Sequence, residues 1–255
     1  MKRFLKAFAV VAALVAPVAA PQAAGEGEHA LRNGHFSFDG AFGTFDRAAL
    51  QRGFAVYAGV CANCHSLRLL SYRNLLDIGL SEDQARAVAA SVEVTDGPND
   101  EGQMFQRPGR LSDRFHRPFA NDNAARAANN GALPPDLSVI TKARHGGANY
   151  IYSLLTGYHE PPAGVTLGQG MNYNPYFPGG QIAMAAPLND GAVEFADGTP
   201  NNVDQMARDV ATFLSWAAEP EMETRKRMGI RVLVFLAVAG FIAYGVKRKV
   251  WANLH

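Results

Sequence analysis

The 255-residue chain has two cysteines, three positions apart, with a histidine directly after the second: Cys61-Ala62-Asn63-Cys64-His65. So small a thiol supply excludes a disulfide scaffold and any site built from four thiolates. In an exported protein the Cys-x-x-Cys-His pattern reads as covalent attachment of one c-type haem. The two thiols add to the haem vinyl groups as thioethers. A three-residue step puts both sulfurs on one side of a helical turn, and the adjacent histidine reaches the iron. A thioredoxin-like redox pair is the main rival, but it accompanies a βαβ pattern that this sequence lacks. A structural zinc site would need further Cys or His at metal spacing.

The sequence also signals export. Lys2, Arg3 and Lys6 precede an Ala- and Val-rich apolar run from Phe8 to Ala20, which is short for a membrane span. Small residues follow, so residues 1–24 are expected to be a cleaved signal peptide, with an N-terminal anchor as the alternative. A second apolar run, Met228 to Val246, carries a single charge, Arg231, near one end. Nineteen residues at about 1.5 Å each give roughly 28 Å, close to the thickness of a hydrocarbon core. Arg231 can snorkel to the interface, and Trp251 sits at interface depth. Lys247, Arg248 and Lys249 on one flank compete with Arg225, Lys226 and Arg227 on the other, so the leader rather than the charge count orients the span. Residues 25–224 are then a periplasmic domain. Residues 225–255 form a single-pass anchor in a bacterial inner membrane, with a short cytoplasmic tail.

This division exposes a charge asymmetry that the overall net of +1 conceals. The exported segment holds 14 Lys and Arg against 23 Asp and Glu, a net of −9. Such a domain attracts basic partners and repels anionic ones, so nothing favours nucleic acid. Glu93, Asp96, Asp100 and Glu101 concentrate part of that charge in one segment.

Helical spacing dominates the exported segment. Asp46 caps a helix with Leu50, Phe54, Tyr57 and Val60 on its apolar face. Ser81 to Gln84 form a capping box ahead of Ala85, Val88, Ala89 and Val92. Asn121 or Asp122 starts an Ala-rich helix ending at Asn130-Gly131. A short helix fits 148–156. Asn202 and Gln205 precede the longest stripe, Val203, Met206, Val210, Phe213, Leu214 and Ala217, which stops before Pro220. Gly/Pro-rich loops join these helices, the longest running from Glu160 to Gly191. A sixth iron ligand is needed. Of the methionines, Met1 goes with the leader, Met104, Met171 and Met184 lie outside the C-terminal helices, and Met184 lies in a Gly/Pro-flanked stretch suited to approach a flat macrocycle. His116, His145 and His159 are rivals. Lys142, Arg144, Tyr150 and Tyr158 are candidates to hold the haem propionates.

Four blocks of sequence resemble the cytochrome c1 family, the haem subunits of the quinol–cytochrome c reductase (cytochrome bc1) complex. They are 45–57 leading into Cys61–His65, 128–147 with its Pro134-Pro135-Asp136-Leu137-Ser138, 150–158 with Phe177–Pro187, and Trp216–Pro220 ahead of the anchor. The resemblance implies an all-α c-type cytochrome domain with long loops around the haem, plus one C-terminal transmembrane helix. It implies Cys61 and Cys64 as thioether donors and His65 and Met184 as axial ligands. Arg144 and Tyr150 are implied near the propionates, and Asn129, Pro135 and Phe177 as pocket lining. The implied activity is single-electron transfer from the Rieske iron–sulfur protein to a soluble cytochrome c, beside cytochrome b in a dimeric complex. The chain alone would not oxidise quinol. Other readings are an anchored cytochrome feeding a different terminal enzyme, a haem peroxidase or sensor with an open iron site, and a subunit whose haem is only structural.

Overall fold

Asp46 accepts hydrogen bonds from the N–H groups of Ala48 and Ala49 and so caps α1, Arg47–Gly59, with Leu50, Phe54, Val56 and Tyr57 turned inward. The computed structural model describes residues 29–252; the leader expected over residues 1–24 lies outside the described residues. A 3-10 turn, Cys61–Asn63, follows α1 directly, and a second 3-10 helix covers Tyr72–Ile78. Helix α2, Glu82–Ala90, opens on the expected capping box, Ser81 and Gln84 exchanging side-chain and backbone bonds. Helix α3, Asp122–Ala128, is capped by Asn121, and α4 is Gly147–Thr156. Helix α5, Val203–Ala218, is capped by Asn202, and α6 is Met222–Val250.

Two short antiparallel ladders occupy segments whose sequence reads as loop. Strands β1, Glu93–Asp96, and β2, Phe105–Pro108, form one; β3, Asn172–Tyr173, and β4, Gln181–Ile182, form the other. Runs this short carry no legible alternation. The first hairpin is pinned by Arg107, which pairs with Asp96 and grips both carboxylate oxygens of Asp113 at 2.6 and 3.0 Å. Asp96 is therefore committed to a partner, while Asp100 and Glu101 stay exposed at the hairpin tip.

Helix α5 is the hub, with α1 on one side and α4 on another. Met206, Ala207, Val210, Ala211 and Phe213 have no exposed surface, and Trp216 has almost none. Each fully buried Phe, Leu or Val contributes about 1.5–3 kcal/mol, so this helix carries much of the core. The crossing with α1 is close because Gly53 has no side chain: a Cβ there would stand 2.1 Å from the Asp209 carbonyl oxygen. Beside the crossing, Arg52 forks onto buried Asp209 at 2.7 and 3.1 Å and reaches Asp197 at 2.7 Å. Gln205 Nε2 donates to the same Asp209 carboxylate at 3.0 Å. The bond from Asp209 outweighs the cost of burial and holds Arg52 more firmly charged than a free guanidinium.

Helix α6 begins six residues before the apolar run, so Arg225, Lys226 and Arg227 are helical too. It is 29 residues long with a mean hydropathy of 2.1 in its most apolar stretch, none of it buried. That is long and apolar enough to cross a membrane as a single span.

Candidate functional site

The C-terminal end of α1 delivers the cysteines. Val60 ends the helix, and the tighter turn that follows bonds the N–H groups of both Cys64 (3.1 Å) and His65 (2.9 Å) to the Cys61 carbonyl. Cys61, Cys64 and His65 thus belong to one hydrogen-bonded turn. The Tyr57 hydroxyl, one helical turn back, donates to the His65 carbonyl at 3.2 Å and fixes the exit of the turn. Burial pushes the Tyr57 phenol well up, and the neighbouring Cys61 adds to this. Both thiols are free. Burial pushes the Cys61 thiol up to about 12, so its sulfur rests in apolar surroundings as neutral SH.

His65 is oriented from the other side of the site. Its Nδ1 lies 2.8 Å from the Pro135 carbonyl oxygen. A carbonyl only accepts, so Nδ1 carries the hydrogen and Nε2 presents a lone pair that no described residue takes. Burial lowers the imidazole's affinity for a second proton, partly opposed by the Pro135 carbonyl and by Asp136, and the ring is held neutral. This is the form that ligates a metal.

Asp136 stitches the Pro135 segment to the residues after His65. It accepts from Ser66 Oγ at 2.7 Å, from the Arg68 N–H at 2.9 Å and from the Ser138 N–H at 3.0 Å. The Leu137 N–H adds a bond to the Ser66 carbonyl at 2.9 Å. Burial works against the ionised carboxyl, but the bonds from Ser138, Arg68 and Ser66 outweigh it and hold Asp136 below the usual carboxylate range. Sequence reasoning gave Asp136 no role. An Asp directly after Pro-Pro and two residues before Ser is the local signal for such a clamp.

Asn129 caps the end of α3. Its side chain donates to the Ala125 carbonyl of its own helix at 2.7 Å, and Asn130 and Gly131 then adopt positive φ to turn the chain toward Pro134-Pro135. In this structure Asn129 shapes the path to Pro135, and Pro135 meets His65 through its backbone.

Met184 follows β4. Its segment is tied down by Asn174, a fully buried residue whose Nδ2 donates to the Leu154 carbonyl of α4 at 2.7 Å. The Tyr158 hydroxyl donates to the Met184 carbonyl at 3.0 Å. Met184 and Phe177 are both half-buried against the core. Burial pushes the Tyr150 phenol up, opposed by the nearby Arg144 charge; the Arg144 guanidinium itself donates to the Ala143 carbonyl at 3.0 Å. Tyr158 stands near Tyr150 and is raised chiefly by burial. Lys142 points elsewhere, pairing with Glu219 at 3.0 Å. Of the other candidate ligands, Met104 is exposed on the first hairpin, and the His159 ring lies edge-on to Tyr173. A shallow recess between Phe36, Phe45, Lys142 and Met222 lies apart and shares no residue with the Cys61–His65 site.

These residues suit a covalently held haem c. Two free thiols and a neutral imidazole with an available Nε2 in one turn are the donors that its attachment and ligation call for. Among the described residues, no group of three or more His, Cys, Asp or Glu is arranged to hold a bare metal ion. Residues 36–254 match the profile described as the Cytochrome C1 family. The chain belongs to the cytochrome c1 family. Its relatives include the Arabidopsis thaliana protein named cytochrome c1 1, heme protein, mitochondrial, 53% identical over 91% of this chain and 76% of that one. The Saccharomyces cerevisiae cytochrome c1, heme protein, is 51% identical over 91% of this chain and 75% of its own length. The Candida albicans relative is named cytochrome b-c1 complex catalytic subunit and is 52% identical over 89% of this chain and 80% of that one. As a cytochrome c1, the chain carries its Cys-x-x-Cys-His turn on a mostly helical domain with one apolar C-terminal helix.

Proposed function

We propose that this chain is the electron-transfer subunit of a membrane ubiquinol–cytochrome c reductase. In this reading it takes single electrons from the Rieske iron–sulfur protein and passes them to a soluble cytochrome c. Cys61 and Cys64 hold the haem, His65 and Met184 ligate its iron, and Arg144 with Tyr150 meets the propionates. Asn129, Pro135 and Phe177 line the pocket. Residues 1–24 are the cleaved leader, 25–224 the periplasmic domain, and 225–255 the anchor that packs beside cytochrome b in the inner membrane of a bacterium. The assembled complex is dimeric.

The observation that carries this reading is the His65–Pro135 bond at the end of a Cys-x-x-Cys-His turn, which presents Nε2 as a ligand. The haem supplies a one-electron couple, whose potential Met/His ligation raises. The protein's part is positional. Pro135 fixes the imidazole, Asp136 fixes Pro135, and Tyr158 restrains the backbone of Met184. No side chain has to move a proton. The net −9 of residues 25–224 suits a basic soluble acceptor through electrostatic steering, and fast, weak docking is expected of such pairs. The names of the relatives, heme protein and b-c1 complex catalytic subunit, support the same reading.

Two experiments test it. Met184→Leu should lower the reduction potential and abolish the iron–thioether charge-transfer band; an unchanged potential and spectrum would refute Met184 as a ligand. Purification through a tag on the C-terminal anchor should bring down cytochrome b and a Rieske protein. Recovery of a terminal oxidase in their place would point to the alternative anchored cytochrome.

A further inference from the structure

The turn that carries Phe42 descends along the first turns of α6. The Phe45 N–H donates to Glu223 Oε1 at 2.8 Å, and Arg47 pairs with the same carboxylate at 3.1 Å. Two residues earlier, the Gly43 carbonyl accepts from Lys226 Nζ at 3.0 Å, and the Phe38 carbonyl accepts from the same ammonium at 2.6 Å. Glu223 and Lys226 are three positions apart and share one face of α6. Followed backward from Arg47 to Gly43, the segment moves nearly one helical turn toward the apolar run that begins at Met228. The residues between the two bonded carbonyls, 39–42, form a turn that the ammonium closes. Phe36, Phe38 and Phe45 turn inward and pack ring on ring, with centroids 5.1 and 4.9 Å apart. Phe42 turns outward and is 82% exposed.

An isolated exposed Phe on a water-facing surface is ordinary. Phe42 differs in its place, because an ammonium on the first turns of a membrane-spanning helix holds its turn just above the apolar run. We propose that the 39–42 turn seats the domain on the bilayer, the Phe42 ring entering the boundary between headgroups and acyl chains in the leaflet where α6 enters. Continuity with the span identifies lipid as the occupant, since the turn is bonded to the segment that crosses from water into hydrocarbon. Phe, like Trp and Leu, buries its apolar side chain at this boundary in helices that lie in the interface. Arg227 and Arg231, four positions apart on α6, offer cations to lipid phosphates at the same level. The proposal rests on α6 crossing the bilayer and is independent of the haem ligand assignment.

Nitroxide labels at Phe42→Cys, Leu236→Cys and Asp83→Cys test it. Each variant is purified full-length, haem-loaded and with its associated subunits, then placed in nanodiscs of phosphatidylcholine and phosphatidylglycerol. Power-saturation EPR compares relaxation by oxygen, which concentrates in lipid, with relaxation by a water-soluble nickel chelate. At position 42 the oxygen-to-nickel ratio should be several-fold above that at exposed Asp83 and approach that at Leu236 in the span. Nickel access at 42 equal to that at 83 overturns the proposal. Exclusion of both reagents means that a protein subunit covers the turn, and this overturns it as well. Nickel access at 236 overturns the span and the proposal with it. An unchanged haem spectrum in Phe42→Cys shows that the fold is intact.

Discussion

Arg52 of α1 and Asp209 of α5 form a two-point ion pair, 2.7 and 3.1 Å, at the place where the two helices cross most closely. The carboxylate is 1% exposed and cannot recover water if its partner is removed. The pair locks the helix that ends in the Cys61–His65 turn onto the central helix of the core. Breaking a buried pair from one side leaves an uncompensated charge, at a cost of about 3–5 kcal/mol. Arg52→Met should therefore destabilise the domain by about that much, and Arg52→Met with Asp209→Leu by clearly less. Urea unfolding of these two variants and of Asp209→Leu alone completes the cycle that gives the coupling between the sites.

Gly53, the next residue, makes the same crossing possible by having no side chain. Gly53→Ala places a methyl against the Asp209 backbone, where it has no flexible neighbour to displace. The helices must separate, at a cost of about 1–3 kcal/mol. Elsewhere in a helix the same change stabilises by roughly 0.5–1 kcal/mol, so the sign of the measured change decides. Thermal unfolding of the haem-loaded protein is the measurement.

The Tyr158 hydroxyl restrains the carbonyl of Met184. Tyr158→Phe keeps the ring and removes one hydrogen bond, worth about 1 kcal/mol. The domain should stay folded while the Met184 segment loosens. The expected signature is a lower reduction potential and a weakened iron–thioether band, with Cys61 and Cys64 attachment unaffected. Redox titration beside a denaturing gel stained for covalent haem separates the two.

Asp136 has its carboxyl held below the usual range in the folded state by its three donors. A group whose folded pKa is depressed contributes stability above its unfolded value, about 3.9, and loses it as pH falls through the folded value. The domain should thus lose part of its stability below about pH 4. Asp136→Asn should show a shallower decline over that window and lower stability at neutral pH, because the amide cannot serve all three donors equally. Urea midpoints across pH 3 to 7, on the order of one point per pH unit, check the sign.

Much of this was legible beforehand for one reason: helix caps and apolar stripes are local. Asp46, Ser81, Asn121 and Asn202 stand at the helix starts that their spacing implies, and the stripe from Val203 to Ala217 is the buried hub. The Cys-x-x-Cys-His turn is local too. The two hairpins were not legible, because strands of two to four residues leave no period to detect, and one of them is fixed by Arg107, whose partners lie up to eleven residues away. The long-range contacts of the site were illegible for a related cause. His65 meets Pro135 across seventy positions, and Tyr158 meets Met184 across twenty-six, and both use a main-chain oxygen that any residue type would supply. Lys142, a candidate for the propionates by composition, is claimed by Glu219 at the base of α5.

Between the end of α5 at Ala218 and the start of α6 at Met222 there are three residues, Glu219, Pro220 and Glu221. Glu219 is pinned from both sides, by Lys142 of the domain and by Arg225 of α6. A joint so brief and so braced has no slack to swing. The Cys61–His65 turn therefore keeps a fixed address relative to the long apolar helix.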